Sequence, residues 1–353
     1  LYLRVAGAAN RRGAHLINAN GRKTKLDAQA QTSLRYHYGA AAHLVWALVA
    51  SILKQGLVNH AFVDSRATGF DELFQAVEKL DFNDLVAASG VAAGEIDEVA
   101  RIYAEADNGI ILFGIEAGND PSLRAGLEAL TLLTGHAGKA NNGVIAVLPH
   151  ANSRGAADMG LVPDRLPGYI PVDGQPGLSA AQMLAENSGL KGLLIAGTDP
   201  ATESDAFKAA LEKIDFLVVQ ELFLTETAQL ADVVLPVKGT AERDGTFTNL
   251  ERRVQTFDPG VPAPGNAWAD WLALSGIAGA LGVVWGYASA DGFMSENTRQ
   301  VISLIIPSAE AYPQSTPNAP AIPLKASQSA QALPGAGTPG SKVWTRRSRF
   351  VKV

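Results

Sequence analysis

The stretch ADVVLPVKGTAERDGTFTNLERRVQ, residues 231–255, constrains the fold of this chain more than any other segment. Its first residues, up to Pro236, predict a buried β-strand, because they are apolar and end at a residue that cannot continue a ladder of hydrogen bonds. The residues that follow include Gly239, Asp244 and Gly245, and they predict a polar, irregular loop. In an open α/β sheet such a loop lies at the carboxyl edge of the strands, which is where ligands bind.

Apolar runs with strand character alternate with helical stretches along the chain, and this alternation is typical of a parallel α/β sheet. The predicted strands are residues 14–19, 109–115, 192–197, 215–221 and 231–236. The fold class predicted from the sequence is therefore α/β with mainly parallel sheets.

Composition excludes several kinds of site. The chain has no cysteine, which excludes an iron–sulfur cluster held by thiolates, a disulfide framework and a cysteine nucleophile. Its six histidines follow no metal-ligand spacing, so we predict no metal site. The net charge is -6. Residues 313–353 contain Lys and Arg but no Asp or Glu, so the body of the chain, residues 1–312, is more acidic than this total. Such a body repels phosphates, and nucleic acid is not an expected partner.

Three motifs carry a resemblance to a known family. They are the 231–255 stretch itself, the string Asn-x-x-Gly-Ala-x-Asp-Met-Gly at residues 152–160, and Gly-Thr-Asp-Pro at residues 197–200. Together they resemble the signatures of the molybdopterin oxidoreductase family, which includes a relative in respiratory complex I. In family members that bind a pterin dinucleotide, the third motif contacts the nucleotide.

The resemblance implies two Rossmann-like lobes, with the family's carboxyl-terminal β-barrel domain missing. We expect residues 1–148 to form a first, partial α/β lobe and residues 149–282 to form a second lobe with the dinucleotide-site motifs. Residues 283–312 are expected to be a helical extension. Residues 313–353 are a Pro/Ala-rich basic tail, and we expect it to be extended because it lacks apolar periodicity.

The candidate cofactor-binding residues implied by the resemblance are Gly197, Thr198, Asp199, Thr246 and Asn249; it assigns no catalytic and no metal-binding residue. Three of them have a structural alternative. Asp199 precedes a proline, as the N-cap of a helix often does, and its side chain would then cap that helix. Thr246 and Asn249 suit contacts with a nucleotide, and they equally suit hydrogen bonds to loop backbone groups.

Two departures from the family pattern lead us to expect that this dinucleotide site is vestigial and empty. Leu148 stands where the resemblance places an arginine in formate dehydrogenases, and an apolar side chain cannot orient an anionic substrate. The β-barrel domain that would cover the dinucleotide is also missing.

These departures favour a non-catalytic scaffold in the large iron–sulfur subunit of bacterial NADH:quinone oxidoreductase, complex I, which transfers electrons from NADH to quinone. The chain begins without Met inside a predicted helix, so iron–sulfur clusters are expected in a missing amino-terminal part, and no molybdopterin is expected here. The expected partners are other peripheral-arm subunits, at the cytoplasmic face of the inner membrane, with membrane association only through the complex. The alternatives are a fragment of a molybdenum or tungsten bis-pterin catalytic subunit, such as a formate dehydrogenase, and an interaction module with no redox partner.

The apolar segment at residues 272–288 raises the question of a membrane span. It is shorter than the roughly 20 residues that a spanning helix needs, and it contains several glycines. We predict a buried helix or one that faces a partner.

Overall fold

The computed structural model describes residues 1–287 apart from 116, 118, 119, 186, 187 and 251, together with residues 322–323. The contacts between residues divide the chain into two compact units, and the division falls between Val147 and Leu148. The predicted helical extension and the basic tail lie almost entirely outside the described residues.

Helices and strands alternate through both units. The described α-helices are α1 (Tyr2–Arg12), α2 (Ala41–Lys54), α3 (His60–Arg66), α4 (Phe70–Glu78), α5 (Phe82–Ser89), α6 (Ala93–Glu105), α7 (Pro121–Leu133), α8 (Ser153–Asp158), α9 (Ala180–Met183), α10 (Pro200–Glu203), α11 (Asp205–Leu211), α12 (Glu226–Gln229) and α13 (Asp270–Ala280). The described strands are β1 (Ile17–Ala19), β2 (Thr32–Leu34), β3 (Ala67–Thr68), β4 (Ile110–Phe113), β5 (Gly143–Ala146), β6 (Arg165–Leu166), β7 (Ile170–Pro171), β8 (Gly192–Ala196), β9 (Phe216–Glu221), β10 (Val233–Pro236), β11 (Gly245–Thr248), β12 (Val254–Phe257) and β13 (Ile322–Pro323).

The strands form small sheets that are mainly parallel, and this confirms the predicted α/β fold class. The largest sheet has the order β10-β9-β8, and every pairing in it is parallel. The pairs β1–β2, β4–β5 and β3–β13 are also parallel, whereas β6–β7 and β11–β12 are antiparallel hairpins. All five strands predicted from the sequence are present, with shorter bounds.

Helix α2 is the centre of the first unit because its sequence is apolar on nearly every side, which is typical of a helix surrounded by others. It packs against α5, α6 and α7. Trp46 of α2 is completely buried, and its indole N–H donates to the side-chain oxygen of Ser122 at 3.0 Å. Gly126 of α7 allows the two helices to approach closely, since a Cβ atom there would lie 2.8 Å from Cγ1 of Val45.

The second unit has a smaller core built on the three-stranded sheet. Leu217 and Val219 of the central strand β9 are buried in it. The prediction of a buried strand ending at Pro236 is wrong: β10 lies at the edge of the sheet, and Val233 and Val234 are 37% and 38% exposed. Among the described residues, β10 forms a strand pairing with β9 alone, and its side chains are partly accessible.

The predicted irregular loop after β10 is present at residues 238–244, but it ends before Gly245, where a β-hairpin begins that the sequence did not predict and that extends to residue 257. Strands β11 and β12 pair from Gly245 with Phe257 to Thr248 with Val254. The rings of Phe247 and Phe257 stack 5.0 Å apart. A Cβ atom on Gly245 would lie 2.7 Å from the Phe257 ring, so the glycine makes room for this aromatic pair.

Helix α13 covers part of the apolar segment that raised the question of a membrane span. It ends at Ala280, two residues before Gly282, which has a positive φ of 84°. Among the helices within the described residues, none combines the length and the hydrophobicity that crossing a membrane requires.

Candidate functional site

Three parallel strands of the second unit end at one edge of their sheet. Gly197, Thr198 and Asp199 follow β8, Glu221 ends β9, and Lys238 lies two residues beyond β10. Because the carboxyl edge of a parallel sheet is where ligands bind in this class of fold, this edge is the candidate site.

Gly197 begins the turn after β8 and has a positive φ of 65°, a conformation that glycine adopts without strain. Its N–H donates to the carbonyl oxygen of Gln220 at 2.9 Å, which extends the pairing with β9 by one residue. Apart from its two chain neighbours, no heavy atom of the described residues lies within 4 Å of the position that a Cβ atom would occupy. The backbone of this turn is therefore open to close approach by a ligand.

The prediction that the Asp199 side chain caps the following helix is wrong. Helix α10 has only four residues, and Asp199 makes no side-chain capping hydrogen bond to it. Its carboxylate instead accepts hydrogen bonds from the backbone N–H of Thr227 at 2.9 Å and from the Thr227 hydroxyl at 2.6 Å. The same hydroxyl oxygen accepts from the N–H of Ala201 at 3.0 Å. Asp199 therefore ties the turn after β8 to helix α12, which follows β9.

This network also sets the ionisation of Asp199. Partial burial on its own would raise the pKa of the carboxyl group, but the hydrogen bonds from Thr227, with smaller contributions from Thr202 and the backbone of Glu226, outweigh that effect. The net result is a pKa below the ordinary value for aspartate. The carboxylate is thus held ionised and already engaged by protein donors.

Glu221 and Lys238 are residues of this edge that the sequence analysis did not assign to the site. Glu221 is buried, and its Oε1 accepts from the backbone N–H of Leu222 at 2.7 Å. Lys238 is half-buried, and within the part of the chain that the structure describes its ammonium group has no ion pair or hydrogen bond. The sequence contained a signal for Glu221. In folds of this class, ribose is typically bound by an acidic residue that lies at the end of the next strand, about 20 positions after a glycine turn.

Thr198 is part of the lining of an apolar cavity of about 270 Å³ beside β8. The cavity is lined mainly by aliphatic side chains of β8 and α9 and by Phe207 of α11, while Thr198 and Glu203 are its polar members. Thr198 thus lies at the boundary between this cavity and the carboxyl edge of the sheet.

Thr246 and Asn249 belong to the β11–β12 hairpin. Thr246 pairs with Thr256 within it. The Asn249 side-chain oxygen accepts from the backbone N–H of Arg253 at 2.9 Å, and Arg252 has a positive φ of 61°. Asn249 therefore organises the hairpin turn, which is the structural alternative that the sequence left open.

A second motif meets this hairpin from a distant part of the chain. The side-chain oxygen of Asn152 accepts from the backbone N–H of Thr248 at 2.9 Å, across 96 positions of sequence. The hydrogen bonds among the described residues thus join the hairpin to the 152–160 string and not to the turn at Gly197. They bring together two of the three motifs recognised in the sequence.

Gly155 makes this contact possible. A Cβ atom there would lie 2.3 Å from Oδ1 of Asn152 and 3.1 Å from Oγ1 of Thr248. We expect Gly155→Ala to displace the Asn152 side chain, to break its bond to Thr248 and to lower the free energy of unfolding by about 1–3 kcal/mol. Urea denaturation measures this loss. Gly94→Ala is the matched control, since no atom lies within 4 Å of its Cβ position, and an equal loss in both variants would contradict the assignment.

The first unit has a comparable edge, where strands β1 and β2 end. Arg22 and Lys23 follow β1, and Arg35 follows β2. Arg35 forms an ion pair with Asp27 at 2.6 Å. The pKa of Asp27 lies well below its usual range, chiefly because the backbone N–H of Thr24 donates to its carboxylate. The basic side chains that remain make this edge cationic.

The described residues contain no cluster of three or more His, Asp or Glu side chains that would hold a metal ion.

Comparison with known proteins supports the fold and the motifs. The family model described as molybdopterin oxidoreductase matches residues 11–280. The chain is 33% identical over 305 residues to the alpha subunit of a formate dehydrogenase from Methanococcus maripaludis, which covers 80% of this chain and 45% of that protein. It is 32% identical over 317 residues to the assimilatory nitrate reductase catalytic subunit of Bacillus subtilis, which covers 82% of this chain and 45% of that protein.

A solved structure agrees at the level of the fold. Acetylene hydratase from Pelobacter acetylenicus matches with a TM-score of 0.67 and 20% sequence identity, over 83% of this chain and 47% of that one. The chain thus spans less than half the length of these relatives.

Proposed function

Because this chain belongs to the molybdopterin oxidoreductase family, we propose that it is part of a catalytic oxidoreductase subunit and that its second unit holds the nucleotide portion of a molybdopterin dinucleotide. The observation that carries this proposal is the carboxyl edge of the β8–β10 sheet. There the buried carboxylate of Glu221, at the end of the central strand, lies between an open glycine turn at Gly197 and Lys238, whose ammonium group has no partner among the described residues.

The side chains at this edge fit a nucleotide. Gly197 leaves room for a ligand to approach the backbone. The Glu221 carboxylate is at the strand end where such folds bind ribose hydroxyls, and it retains an oxygen that can accept a hydrogen bond. Lys238 offers a positive charge for a phosphate group. The four-residue helix α10 is too short for its dipole to contribute much, so we assign phosphate binding to Lys238.

Asp199 has a positioning role in this proposal. Its carboxylate is engaged by Thr227 and holds the Gly197 turn against helix α12, so it is not assigned to direct ligand contact. When bound, the cofactor supplies the redox-active metal centre, and the residues described here bind and orient its nucleotide. The cationic edge of the first unit, at Arg22 and Lys23, is the candidate position for a second nucleotide in a bis-pterin arrangement.

The relatives favour this proposal over the complex I scaffold that the sequence analysis preferred, since the similar proteins named above are subunits of a formate dehydrogenase and a nitrate reductase. Leu148 offers no positive charge, so we do not extend the proposal to formate as the substrate. The empty site, the peripheral-arm partners and the position at the inner membrane stay predictions of the scaffold alternative. A measurement of cofactor binding distinguishes the proposed catalytic subunit from the scaffold alternative.

Calorimetric titration of the chain with guanosine diphosphate tests the proposal. We expect measurable binding, and we expect Glu221→Ala and Lys238→Ala each to weaken it by about 10- to 100-fold, the loss of one hydrogen bond to a charged group. Asp205→Ala is the matched control, because Asp205 is an exposed acidic residue in the first turn of α11 and is not among the residues assigned to the nucleotide. A correctly folded chain that binds no nucleotide would contradict the proposal and favour a vestigial site.

A further inference from the structure

The turn before strand β5 carries backbone N–H groups that have no acceptor in the protein. This turn consists of residues 137–142, with the sequence AGKANN, and is named the Gly138 turn here. No hydrogen bond among the described residues uses the backbone N–H groups of these residues. Residues 138–141 are exposed, so a molecule in solution can reach the groups. Gly138 and Asn141 have positive φ angles of 70° and 58°. Alternation of negative and positive φ is the conformation in which successive N–H groups form an anion-binding concavity.

A guanidinium group faces the Gly138 turn. Arg66 ends helix α3, and its Nη2 lies 3.5 Å from the position that a Cβ atom on Gly138 would occupy. Its Nε is buried without a hydrogen bond, and no ion pair among the described residues involves Arg66. The charge of Arg66 is therefore partly withdrawn from water and is not compensated by a carboxylate of the described residues. Such a charge is stabilised by an anion that binds beside it.

Lys139 supplies a second positive charge within the turn. Its ammonium group donates to the carbonyl oxygen of Asp107 at 3.1 Å, which holds it beside the residues that precede β4. Burial is the main cause of the lowered pKa of His136, and the charge of Lys139 acts in the same direction. Because β4 and β5 are parallel, the turns that precede them lie at the amino edge of the pair. None of these residues is assigned to the proposed nucleotide sites, which lie at carboxyl edges.

We propose that the Gly138 turn, together with Arg66 and Lys139, binds the phosphate group of a small molecule. The backbone N–H groups donate to the phosphate oxygens, and the two side chains balance their charge. The planar guanidinium group can bond two oxygens of one phosphate. The site is open, and the net charge of -6 disfavours anions, so we expect a dissociation constant on the order of 1 mM. This proposal does not depend on nucleotide binding in the second unit.

Calorimetric titration of the Lys238→Ala variant with orthophosphate at constant ionic strength tests the proposal. This variant lacks the ammonium group assigned to the nucleotide, so phosphate binding at that group does not contribute to the signal. We expect binding, and we expect the added substitution Arg66→Gln to weaken it by about 10- to 100-fold through the loss of charge-assisted hydrogen bonds. Arg101→Gln is the matched control, because Arg101 is an exposed arginine of the same unit that pairs with Glu105. No binding at about 10 mM orthophosphate, or equal weakening by the two substitutions, would overturn the proposal.

Lys139→Ala provides a second measurement that does not depend on a buried group. Lys139 is exposed, so its replacement leaves the packing of the unit unchanged. We expect a weakening of orthophosphate binding by about 3- to 10-fold, and none in the control Lys79→Ala, which removes another exposed lysine of the unit. Equal affinities in these two variants would refute the site. Arg66→Gln should leave the binding of guanosine diphosphate by the otherwise unchanged chain unaltered, so this proposal and the proposed function fail separately.

Discussion

Replacing Trp46 with alanine is expected to lower the free energy of unfolding of the first unit by about 3–5 kcal/mol. Trp46 is completely buried at the centre of the core around α2, so its removal leaves a large cavity among close-packed helices. The substitution also leaves the backbone and side-chain oxygens of Ser122 without the indole N–H that bonds them. Urea denaturation followed by circular dichroism measures the loss.

Trp268→Ala is the control for this prediction, because Trp268 is half exposed and belongs to the second unit. Its side chain can be removed without creating an enclosed cavity, so we expect a loss of less than about 1 kcal/mol. Similar losses in the two variants would mean that the core of the first unit is not organised around Trp46.

Asp199→Ala is expected to lower the free energy of unfolding of the second unit by about 1.5–3 kcal/mol. The substitution removes the acceptor of two hydrogen bonds from Thr227 and leaves the buried N–H and hydroxyl of that residue short of a partner. A simple helix cap would cost about 1 kcal/mol, so the size of the loss separates the observed contact from the predicted one. Asp205→Ala, an exposed residue in the first turn of α11, is the control.

The ionisation of Asp199 adds a dependence on pH. Its pKa is lower in the folded chain than in the unfolded chain, so its ionised form stabilises the fold above the unfolded pKa of about 4. This contribution is lost as the pH falls from about 4 through the lower folded pKa. We therefore expect the stability difference between the wild-type chain and Asp199→Asn to shrink in denaturation experiments as the pH falls from about 5 to about 2. A difference that stays constant across this range would show that the charge of Asp199 contributes nothing.

Much of the fold was predictable because its signals are local. The apolar runs at residues 192–197 and 215–221 have the length and flanking turns of buried strands, and both are strands in the structure. The turn at Gly197 follows from the same logic, since glycine alone adopts a positive φ at no steric cost. The motifs at residues 152–160 and 231–255 identified the family, which the family model then matched over residues 11–280.

The exposure of β10 was not predictable, because an apolar run looks alike whether its strand lies at the centre or at the edge of a sheet. The run at residues 231–236 resembles that at 215–221, yet Val219 of β9 is completely buried and Val233 of β10 is 37% exposed. The position of a strand in a sheet depends on which strands lie beside it, and the chain order alone does not determine that.

The sequence by itself determined the α/β class, the five predicted strands and the glycine turn at the sheet edge, because residues close together in the chain set backbone conformation and apolar periodicity. Tertiary structure alone decided the partners of the polar side chains. Asp199 reaches Thr227 across 28 positions, and Asn152 reaches Thr248 across 96. A carboxylate next to a proline satisfies the pattern of a helix cap, but it bonds to whichever donor the fold brings nearest, and that donor came from another element.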